Sequence, residues 1–294
     1  MGILVDRSTR VIVQGMTGRS GTFYTDLALR YGSTYVGGVR PGKGGTRHVG
    51  LPVFDTVAEA MAETGATASL ILVPAHHAAD AMLEAVDANI GVAVCVTERV
   101  PVHDVMRVRA ALENSTTVLV GPNSQGVLTP GECKIGVMST ADARPGCIGI
   151  ASRSASLTSE IVAQTSRAGL GQSTTVGIGG DPIHGLGFRR CLEMYLHDEQ
   201  TRGVILIGEI GGTEEEQAAE YLSSESFPKP VVALIAGRHA PRERRMGHAG
   251  TLSMFGSRSV QEKSDRLAAA GVQIASDADQ VTPMMAAALA ESPE

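Results

Sequence analysis

The chain has 294 residues, of which 43% are hydrophobic and 19% are charged, and its formal net charge is −6. This length fits one large or two medium domains, and the composition is that of an ordinary globular protein. The negative charge argues against nucleic acid or an anionic membrane as a partner, and no apolar run reaches the roughly 18 residues of a membrane span. The N-terminal segment lacks the long apolar core of a secretory signal, so we expect a cytoplasmic protein.

The first half of the chain alternates short β-branched runs with helical stretches. The runs predict strands at 11–14, 34–39, 69–73, 92–97 and 118–121. The stretches between them predict helices at 23–31, 57–63, 78–87 and 102–113. Near-continuous apolar strands that alternate with helices indicate a parallel sheet covered on both faces.

A glycine-rich loop follows the first predicted strand in the segment VIVQGMTGRSGT. Gly15, Gly18 and Gly21 are spaced by three and lead straight into a helix. Glycines at this place permit a tight turn and let a phosphate group approach the amides of the helix N-terminus. The same spacing also occurs where glycines serve only helix packing, so the loop alone leaves both interpretations open.

The end of the second predicted strand favours some cofactors over others. A dinucleotide site usually has an acidic residue there, to hold a ribose hydroxyl. This chain instead offers Arg40, Lys43 and Arg47 in the segment VRPGKGGTRH. Three cations near a phosphate loop suit a ligand with an extra ribose phosphate, namely coenzyme A or NADP, although a solvated basic turn has the same composition.

The second half repeats the alternation with different loops. Strands are predicted at 148–152, 174–177, 204–207, 231–236 and 272–275, and helices at 157–168, 188–197, 214–223, 261–270 and 281–289. The segment 125–146 carries prolines and glycines with weak periodicity, so the domain junction is placed there. We therefore expect two doubly wound α/β domains, at 1–126 and 127–294.

Several loops of the second domain supply groups suited to anion chemistry. Ser154 and Ser156 precede a helix whose free amides form an anion site, although plain helix capping is the commoner role. Glu209 lies in an apolar, glycine-flanked loop, whereas the run 214–216 suits capping or the surface. His248 lies between Gly247 and Gly250, in a loop that also carries Arg242, Arg244 and Arg245. An imidazole, a carboxylate and a helix N-terminus together suit a phosphorylated histidine.

The remaining histidines and the cysteines are weaker candidates for a catalytic role. Solvated positions at helix ends are expected for one group of histidines: His76, His77, His103 and His197. Loop positions that can line the site are expected for another: His48, His184 and His239. The cysteines lack CxxC or zinc-ligand spacing, so we expect reduced thiols and no metal site: Cys95, Cys133, Cys147 and Cys191.

Seven segments resemble the α subunit of succinyl-CoA synthetase. They read VIVQGMTGRSGT, VGGVRPGKGGT, LPVFDTV, GPNSQGVLTPGECKIG, VGIGGDPI, IGEIGG and RMGHAG, and they span nearly the whole chain in one register. The resemblance implies a Rossmann-like CoA-binding domain followed by a flavodoxin-like ligase domain. It also implies an ATP-grasp β subunit that binds ATP or GTP with Mg, in an αβ or α2β2 assembly, because this chain shows no P-loop or ATP-grasp of its own.

The resemblance assigns roles to individual residues. His248 is implied as the phosphorylated residue and Glu209 as the carboxylate that hydrogen-bonds its imidazole. The helix start that faces the phosphate matches Ser154, Ala155 and Ser156. The CoA-contacting positions match Thr17, Gly18, Arg19, Ser20, Lys43, Val73, Pro74, Val96, Thr97 and Glu98. The implied reaction moves one phosphoryl group from the nucleotide to His248 and then to a carboxylate, giving an acyl phosphate that the CoA thiol attacks.

The chain departs from the family pattern near the expected acyl group. After Asn123 the family usually has Cys-Pro, where this chain has Ser124 and Gln125. A tyrosine of the family is replaced by Ser159, and a glycine by Ala155. Removing an aromatic ring enlarges a pocket, and Ser and Gln add hydrogen-bonding groups. These changes favour a substituted dicarboxylate such as malate, while drift in a paralogue that still uses succinate remains the alternative.

Other classes of function also fit parts of the sequence. A CoA- or NADP-binding regulatory protein or oxidoreductase would keep the fold without phosphoryl transfer. The pairing of His248 with Glu209 favours the ligase, since a binding module needs neither residue. Citrate- or acetate-using acyl-CoA ligases usually carry this module within a longer chain, which argues against them here.

Overall fold

The computed structural model describes residues 2–238, 240, 247–251 and 259–291. Its strands are β1 (Val11–Gln14), β2 (Tyr35–Val39), β3 (Arg47–His48), β4 (Leu51–Phe54), β5 (Ala68–Ile71), β6 (Val92–Cys95), β7 (Val118–Val120), β8 (Gly126–Thr129), β9 (Cys133–Gly136), β10 (Pro145–Ser152), β11 (Gln172–Gly177), β12 (Gly203–Glu209), β13 (Val231–Ala236) and β14 (Gln273–Ala275). Its α-helices are α1 (Arg19–Tyr31), α2 (Val57–Thr64), α3 (Ala75–Asp87), α4 (Val102–Leu112), α5 (Ala155–Arg167), α6 (Phe188–His197), α7 (Glu214–Ser224), α8 (Val260–Ala269) and α9 (Ala278–Glu291), and a 3-10 turn covers Ala249–Thr251.

The first sheet has the order β3-β4-β2-β1-β5-β6-β7. Its strands are parallel except for the short β3, which pairs antiparallel with β4. The chain proceeds from β1 to one side of the sheet and then crosses to β5 on the other side. Ligands of such sheets bind in the crevice outside the carboxyl ends of the strands at this switch point.

The second sheet has the order β14-β13-β12-β10-β11-β8-β9. Its five parallel strands, β10 to β14, follow the flavodoxin-like order with β10 beside both β11 and β12. The switch point therefore lies between β10 and β12. Two antiparallel strands, β8 and β9, extend the sheet beyond β11.

The expected fold class is confirmed: a Rossmann-like sheet precedes a flavodoxin-like one, and helices alternate with the parallel strands. The expected helix at 23–31 begins earlier, at Arg19, and its first turn includes Gly21. A Cβ atom on Gly21 would lie 2.2 Å from the Gly15 carbonyl oxygen, so the helix needs glycine there for close approach to β1. Propensity alone disfavours glycine in helices, and the tertiary contact overrides it.

The prediction missed four strands: β3, β4, β8 and β9. Strand β4 contains Pro52, which is tolerated because this strand lies near the edge of its sheet. Strands β8 and β9 lie in the segment 125–146, which we expected to be an irregular junction. They form a hairpin that adds to the second sheet, with Val127 opposite Val176. The boundary at 126 and 127 stays a prediction.

One apolar cluster runs through both sheets. It includes Val13 of β1, Ile135 of β9 and Val204 of β12, all fully buried. The segment before β1 also crosses over, since the Ile3 amide donates to Thr174 Oγ1 of β11 at 3.1 Å. No helix within the described ranges is long and apolar enough to cross a membrane.

Candidate functional site

The carboxyl edge of the second sheet brings His248 and Glu209 together. Glu209 ends β12, and its Oε2 lies 2.8 Å from Nδ1 of His248. The His248 backbone is held from the other side, because its carbonyl accepts hydrogen bonds from the Thr251 amide at 3.2 Å and the Thr251 hydroxyl at 2.8 Å. The two residues that the sequence paired for phosphohistidine chemistry are thus in direct contact.

The imidazole lies against a bare stretch of backbone. A Cβ atom on Gly180 would lie 2.4 Å from Cγ of His248, so the ring packs where only glycine leaves room. The Gly250 amide also donates to the Gly180 carbonyl at 3.2 Å. The GGDP segment after β11 therefore forms one wall of the histidine site.

The electrostatics of the pair favour a protonated Nδ1. The hydrogen bond to Glu209 raises the pKa of His248 above its ordinary value, and partial burial opposes the rise. Because Nδ1 faces a carboxylate, the ring donates there and leaves Nε2 as the nucleophilic nitrogen. This is the arrangement that a phosphoryl-accepting histidine requires.

A buried arginine, which was not predicted from the sequence, contacts the carboxylate of this pair. Arg153 follows β10, and its Nη2 lies 3.1 Å from Oε1 of Glu209. Because β10 and β12 flank the switch point, their carboxyl ends meet there, and Arg153 and Glu209 meet across it. The available signal was a charged residue directly after a buried strand that enters a serine-rich turn.

A second buried ion pair supports the backbone of Glu209. The Glu209 amide donates to Glu215 Oε1 at 3.0 Å, and Glu215 Oε2 pairs with Lys263 Nζ. Lys263 also donates to the Gly211 carbonyl at 2.6 Å. The expectation that the run 214–216 serves capping or the surface is wrong for Glu215 and Glu216, whose side chains are 1% and 8% exposed, because their partner Lys263 arrives from the distant helix α8.

A cavity of about 670 Å³ opens beside His248. It is lined by Glu98, Arg99, Val100, Val102, Asn123, Asp181, Pro182, Gly247 and His248. Asn123 has a positive φ of 56°, and its Nδ2 donates to Asp181 Oδ1 at 3.0 Å. Residues from the loops after β6, β7 and β11 thus share one cavity with the histidine.

The other expected substrate positions have different surroundings. Ser124 is buried, and its hydroxyl donates to the Gly177 carbonyl and accepts from the Gly126 amide. Ser159 lies exposed on α5, and its hydroxyl donates to the Ala155 carbonyl at 3.2 Å. Gln125 is also buried and donates to Thr158 Oγ1 at 2.7 Å.

The expected phosphate-binding residues form the start of α5. Ser154 caps the helix, because its side chain accepts from the Leu157 amide at 3.3 Å. Ala155 and Ser156 are exposed in the first turn. They follow Arg153 directly, so this helix N-terminus lies at the same edge of the sheet as Glu209. The arginines at 242, 244 and 245, and His239, lie outside the described residues.

A second cavity, of about 700 Å³, lies at the switch point of the first sheet. Four of the expected CoA positions line it: Thr17, Gly18, Val73 and Pro74. Arg40 also lines it, and its guanidinium donates to Thr17 Oγ1 at 2.6 Å. Gly18 begins α1 without a side-chain cap, which leaves the first amides of that helix free for an anion.

The remaining CoA positions do not line this cavity and lie on neighbouring segments of the chain. Arg19 and Ser20 are in the first turn of α1, and Lys43 is exposed in the turn after β2. Val96 and Thr97 follow β6, and the Thr97 hydroxyl donates to the Val73 carbonyl at 2.7 Å. The next residue, Glu98, lines the cavity of His248, so the loops after β5 and β6 connect the two cavities.

Two of the other expected residues have partners of their own. His184, which the sequence left without a partner, is buried with Nε2 3.4 Å from Glu214 Oε1. Arg47 donates to the Gly50 carbonyl within its own hairpin. In the described part of the chain, no cluster of three or more His, Cys, Asp or Glu side chains is arranged to hold a metal ion.

Two family models match the chain. The CoA binding domain matches residues 6–99, and the CoA-ligase domain matches residues 151–278. The first range contains the glycine loop and its cavity. The second contains Arg153, Glu209 and His248.

Curated relatives match over most of their length. The α subunit of the ADP-forming succinate–CoA ligase of Aquifex aeolicus is 52% identical over 93% of this chain and 90% of its own. The corresponding protein of Archaeoglobus fulgidus is 49% identical over 94% of both chains. The corresponding protein of Staphylococcus aureus is 47% identical over 96% of this chain and 93% of its own.

Solved structures share the fold at lower identity. The ATP citrate lyase of Methanothrix soehngenii, in complex with citrate and coenzyme A, has a TM-score of 0.87 at 22% identity, over 99% of this chain. The present chain spans 53% of that chain. The apo form of a dinucleotide-forming acetyl-coenzyme A synthetase of Ca. Korarchaeum cryptofilum has a TM-score of 0.79 at 19% identity. With both domain models matched and relatives near 50% identity, the chain belongs to the family of succinate–CoA ligase α subunits.

Proposed function

We propose that the chain is the α subunit of a nucleoside-diphosphate-forming acyl-CoA ligase, which joins a dicarboxylate to coenzyme A at the expense of ATP or GTP. The observation that carries this proposal is the contact between His248 Nδ1 and Glu209 Oε2 beside a cavity. A CoA- or NADP-binding module without phosphoryl transfer needs no such pair. The family membership supports the same activity.

His248 acts as the phosphoryl acceptor. Its Nε2 attacks the terminal phosphorus of the nucleotide, the bond to the bridging oxygen breaks, and the nucleoside diphosphate leaves. The ring then carries a positive charge, which the Glu209 carboxylate stabilises through the Nδ1 proton. A carboxylate oxygen of the acid next attacks phosphorus, which gives an acyl phosphate and returns the electron pair to Nε2.

The first domain positions coenzyme A, which supplies the thiol that accepts the acyl group. The residues present fit this ligand, because the glycine loop leaves close access to the α1 amides, and Arg40 lines the cavity with Lys43 in the following turn. Thr97 ties the loops after β5 and β6 together and leads to Glu98 in the His248 cavity. A ligand with one end at Gly18 and a reactive end near His248 would follow this path.

We assign the start of α5 to the phosphoryl group. Ser154 caps a helix of 13 residues that begins with Ala155 and Ser156, and the N-terminal dipole of this helix favours an anion. The nucleotide with its Mg is assigned to an ATP-grasp β subunit, in an αβ or α2β2 assembly. The chain boundaries of the two functional units are proposed at 1–126 and 127–294, and the cytoplasm is the proposed compartment.

For the acid we propose a dicarboxylate of the succinate class, including substituted analogues such as malate. Asn123 lines the His248 cavity, and its amide oxygen can accept a hydrogen bond from a substrate hydroxyl such as that of malate, while Ser159 on α5 leaves open the space that a larger side chain would fill. A panel of acids should be compared by kcat/KM with the assembled enzyme. Preference for succinate over every substituted acid would end the proposal of a substituted substrate, and Ser159→Tyr would show whether the lost ring sets the preference.

The central experiment is a phosphorylation assay. The chain is produced with the β subunit encoded beside it, incubated with Mg-ATP or Mg-GTP, and examined by intact mass before and after acid. We expect an acid-labile phosphate on this chain that is absent from His248→Asn. A folded complex that acquires no phosphate from either nucleotide would contradict the ligase and favour the binding module.

A further inference from the structure

Arg153 lies behind Glu209, on the side away from His248. Its side chain is 1% exposed, and that of Glu209 is 9% exposed. A buried guanidinium is costly to desolvate, so its presence calls for a partner charge or a function. Among the described residues, the charged group within ion-pair distance of Arg153 is the carboxylate of Glu209, which also binds His248.

The guanidinium also contacts both loops that frame the histidine. Its Nη1 donates to the Gly211 carbonyl at 3.4 Å, in the loop after β12. A Cβ atom on Gly250 would lie 2.6 Å from Nη2, so the guanidinium packs against the backbone two residues after His248. One side chain thus touches the carboxylate and the segments that carry both members of the pair.

We propose that Arg153 is a positioning residue for phosphoryl transfer, which holds the Glu209 carboxylate in place so that His248 presents Nε2 to the phosphorus. This inference rests on the proposed function. It extends that function to a residue that touches neither the acid nor the phosphoryl group in the proposed reaction.

Other charged groups near Glu209 do not replace Arg153. Lys263 is bound to Glu215 and to the Gly211 carbonyl. It is linked to Glu209 through Glu215, whose side chain accepts a hydrogen bond from the Glu209 backbone amide. Asp181, on the loop after β11, adds a negative charge on the side of His248. Among the described residues, Arg153 is therefore the cation that contacts the Glu209 carboxylate directly.

The contact depends on charge more than on a rigid two-point fork. In the described part of the chain, Arg153 Nε and Glu209 Oε1 have no aligned hydrogen-bond partner, although Nη2 and Oε1 are at ion-pair distance. A bidentate pair would satisfy these atoms. We therefore expect lysine at 153 to preserve more of the effect than an uncharged residue of similar volume.

The effect should be visible in the pH dependence of His248 phosphorylation. The nucleophilic form of His248 has a neutral imidazole, so the acid limb of the profile follows the pKa of His248. Arg153 is a nearby cation that lowers this pKa, so removing Arg153 moves the limb to higher pH. Removing the carboxylate does the reverse, because His248 then loses the acceptor that raises its pKa.

The test uses the assembled enzyme and the initial rate of acid-labile phosphate incorporation from Mg-nucleotide between about pH 5.5 and 9.5, a range that begins about one unit below the ordinary pKa of histidine. For Arg153→Met we expect the acid limb to move to higher pH, with a rate loss of about tenfold or more on that limb and recovery towards the wild-type plateau. For Glu209→Gln we expect the limb to move to lower pH and the plateau to fall. In the double variant, Arg153→Met should add little to the loss from Glu209→Gln.

Arg109→Met is the matched control. Arg109 also holds two backbone carbonyls, those of His184 and Gly185, at 3.0 and 3.1 Å, but it does not touch Glu209. We expect its pH profile to match that of the wild type. Arg153→Lys should keep the wild-type acid limb. If Arg153→Met does not assemble, the pH profile of Arg153→Lys is the measurement that tests the proposal.

Several results would overturn the inference while the proposed function stands. They are a wild-type profile in Arg153→Met, a loss that is uniform in pH, a loss fully additive with Glu209→Gln, or an acid limb shifted in Arg153→Lys as far as in Arg153→Met. Absence of phosphate on the wild-type chain is a different result, because it contradicts the proposed function itself.

Discussion

The imidazole of His248 packs on the backbone of Gly180, where a Cβ atom would lie 2.4 Å from the ring carbon Cγ. Gly180 does not have a left-handed φ, so alanine is compatible with its backbone. The added methyl group can be accommodated only if the ring moves. This relationship makes position 180 a probe of ring placement rather than of chain folding.

For Gly180→Ala we therefore expect the rate of His248 phosphorylation to fall by about 100-fold, the scale reported for an ångström-sized misplacement. The rate of acid-labile phosphate incorporation measures it. Gly91→Ala is the control, since its Cβ would lie 3.2 Å from the Thr67 carbonyl oxygen at the opposite edge of the first sheet. An unchanged rate in Gly180→Ala would show that the ring leaves this position before it reacts.

The hydrogen bond that His248 donates to Glu209 makes the charge of His248 dependent on folding. Because the folded pKa of His248 is raised, its contribution to stability is fully present below the unfolded value near 6.5 and is lost as pH rises through the folded value. We expect Glu209→Gln to lower the pKa of His248, measured by NMR of histidine-labelled protein. The wild type should also be more stable to heat than the variant. This margin should be larger at about pH 6 than at about pH 8.5, because the contribution of protonated His248 is lost as the pH rises. A His248 titration that is the same in both proteins would contradict the contact.

The buried pair of Lys263 and Glu215 predicts a large effect on stability. Lys263→Met leaves two buried carboxylates, those of Glu215 and Glu216, without their cation, and breaking such a pairing costs about 3–5 kcal/mol of unfolding free energy. Denaturant unfolding of the assembled protein measures the change. Adding Glu215→Gln should restore part of it, because glutamine still accepts from the Glu209 amide and carries no charge, while Glu216 stays without its cation.

The same variant has a defined pH dependence. Burial raises the pKa of Glu215, and Lys263 and Arg153 oppose that rise. Without Lys263 the folded carboxyl prefers its neutral form still more, so the deficit grows as pH rises above the unfolded value of 4.5 and shrinks as pH falls towards it. A deficit that is constant between pH 5 and pH 8 (roughly the span over which the carboxyl would ionise) would mean that lost packing, and not the unpaired charge, causes the effect.

The first cavity can be tested separately from His248. A Cβ atom on Gly21 would lie 2.2 Å from the Gly15 carbonyl oxygen and would push α1 away from the loop after β1. For Gly21→Ala we expect KM for coenzyme A to rise by about tenfold or more, because the helix amides move away from their ligand. Phosphorylation of His248 by nucleotide should stay at the wild-type rate, and Gly91→Ala again controls for a methyl group elsewhere in the sheet. Equal losses in both assays would place the defect in folding.

The parallel strands and most helices could be predicted because each carries a complete local signal. Strands such as β13 are continuous apolar runs bounded by turn residues, and β13 was predicted with its observed limits, Val231–Ala236. The hairpin of β8 and β9 lacked that signal, because its residues alternate with glycine and lysine and gain their stability from pairing with β11. Lys134 illustrates the problem: it lies in a buried strand, and its ammonium donates to the Met138 carbonyl at 2.7 Å.

The candidate site divides in the same way. Glu209 and His248 could be proposed because each is a reactive group close to glycines, and the family resemblance paired them. Arg153 has only the weak local signal of its place after a strand, and Lys263 has none. Their importance depends on which strand ends and helices become neighbours, which a sequence read from one end to the other does not reveal.

The apolar cluster that joins Val13, Ile135 and Val204 affects how the protein unfolds. Separate modules would melt in two steps and could be exchanged between proteins by cutting at the linker. Here a cut between 126 and 127 would strip apolar surface from both fragments and break the bond between the Ile3 amide and Thr174. The two halves should therefore lose their structure in a single cooperative transition, and the reactive edges of the two sheets keep their spacing because neither half can loosen without the other.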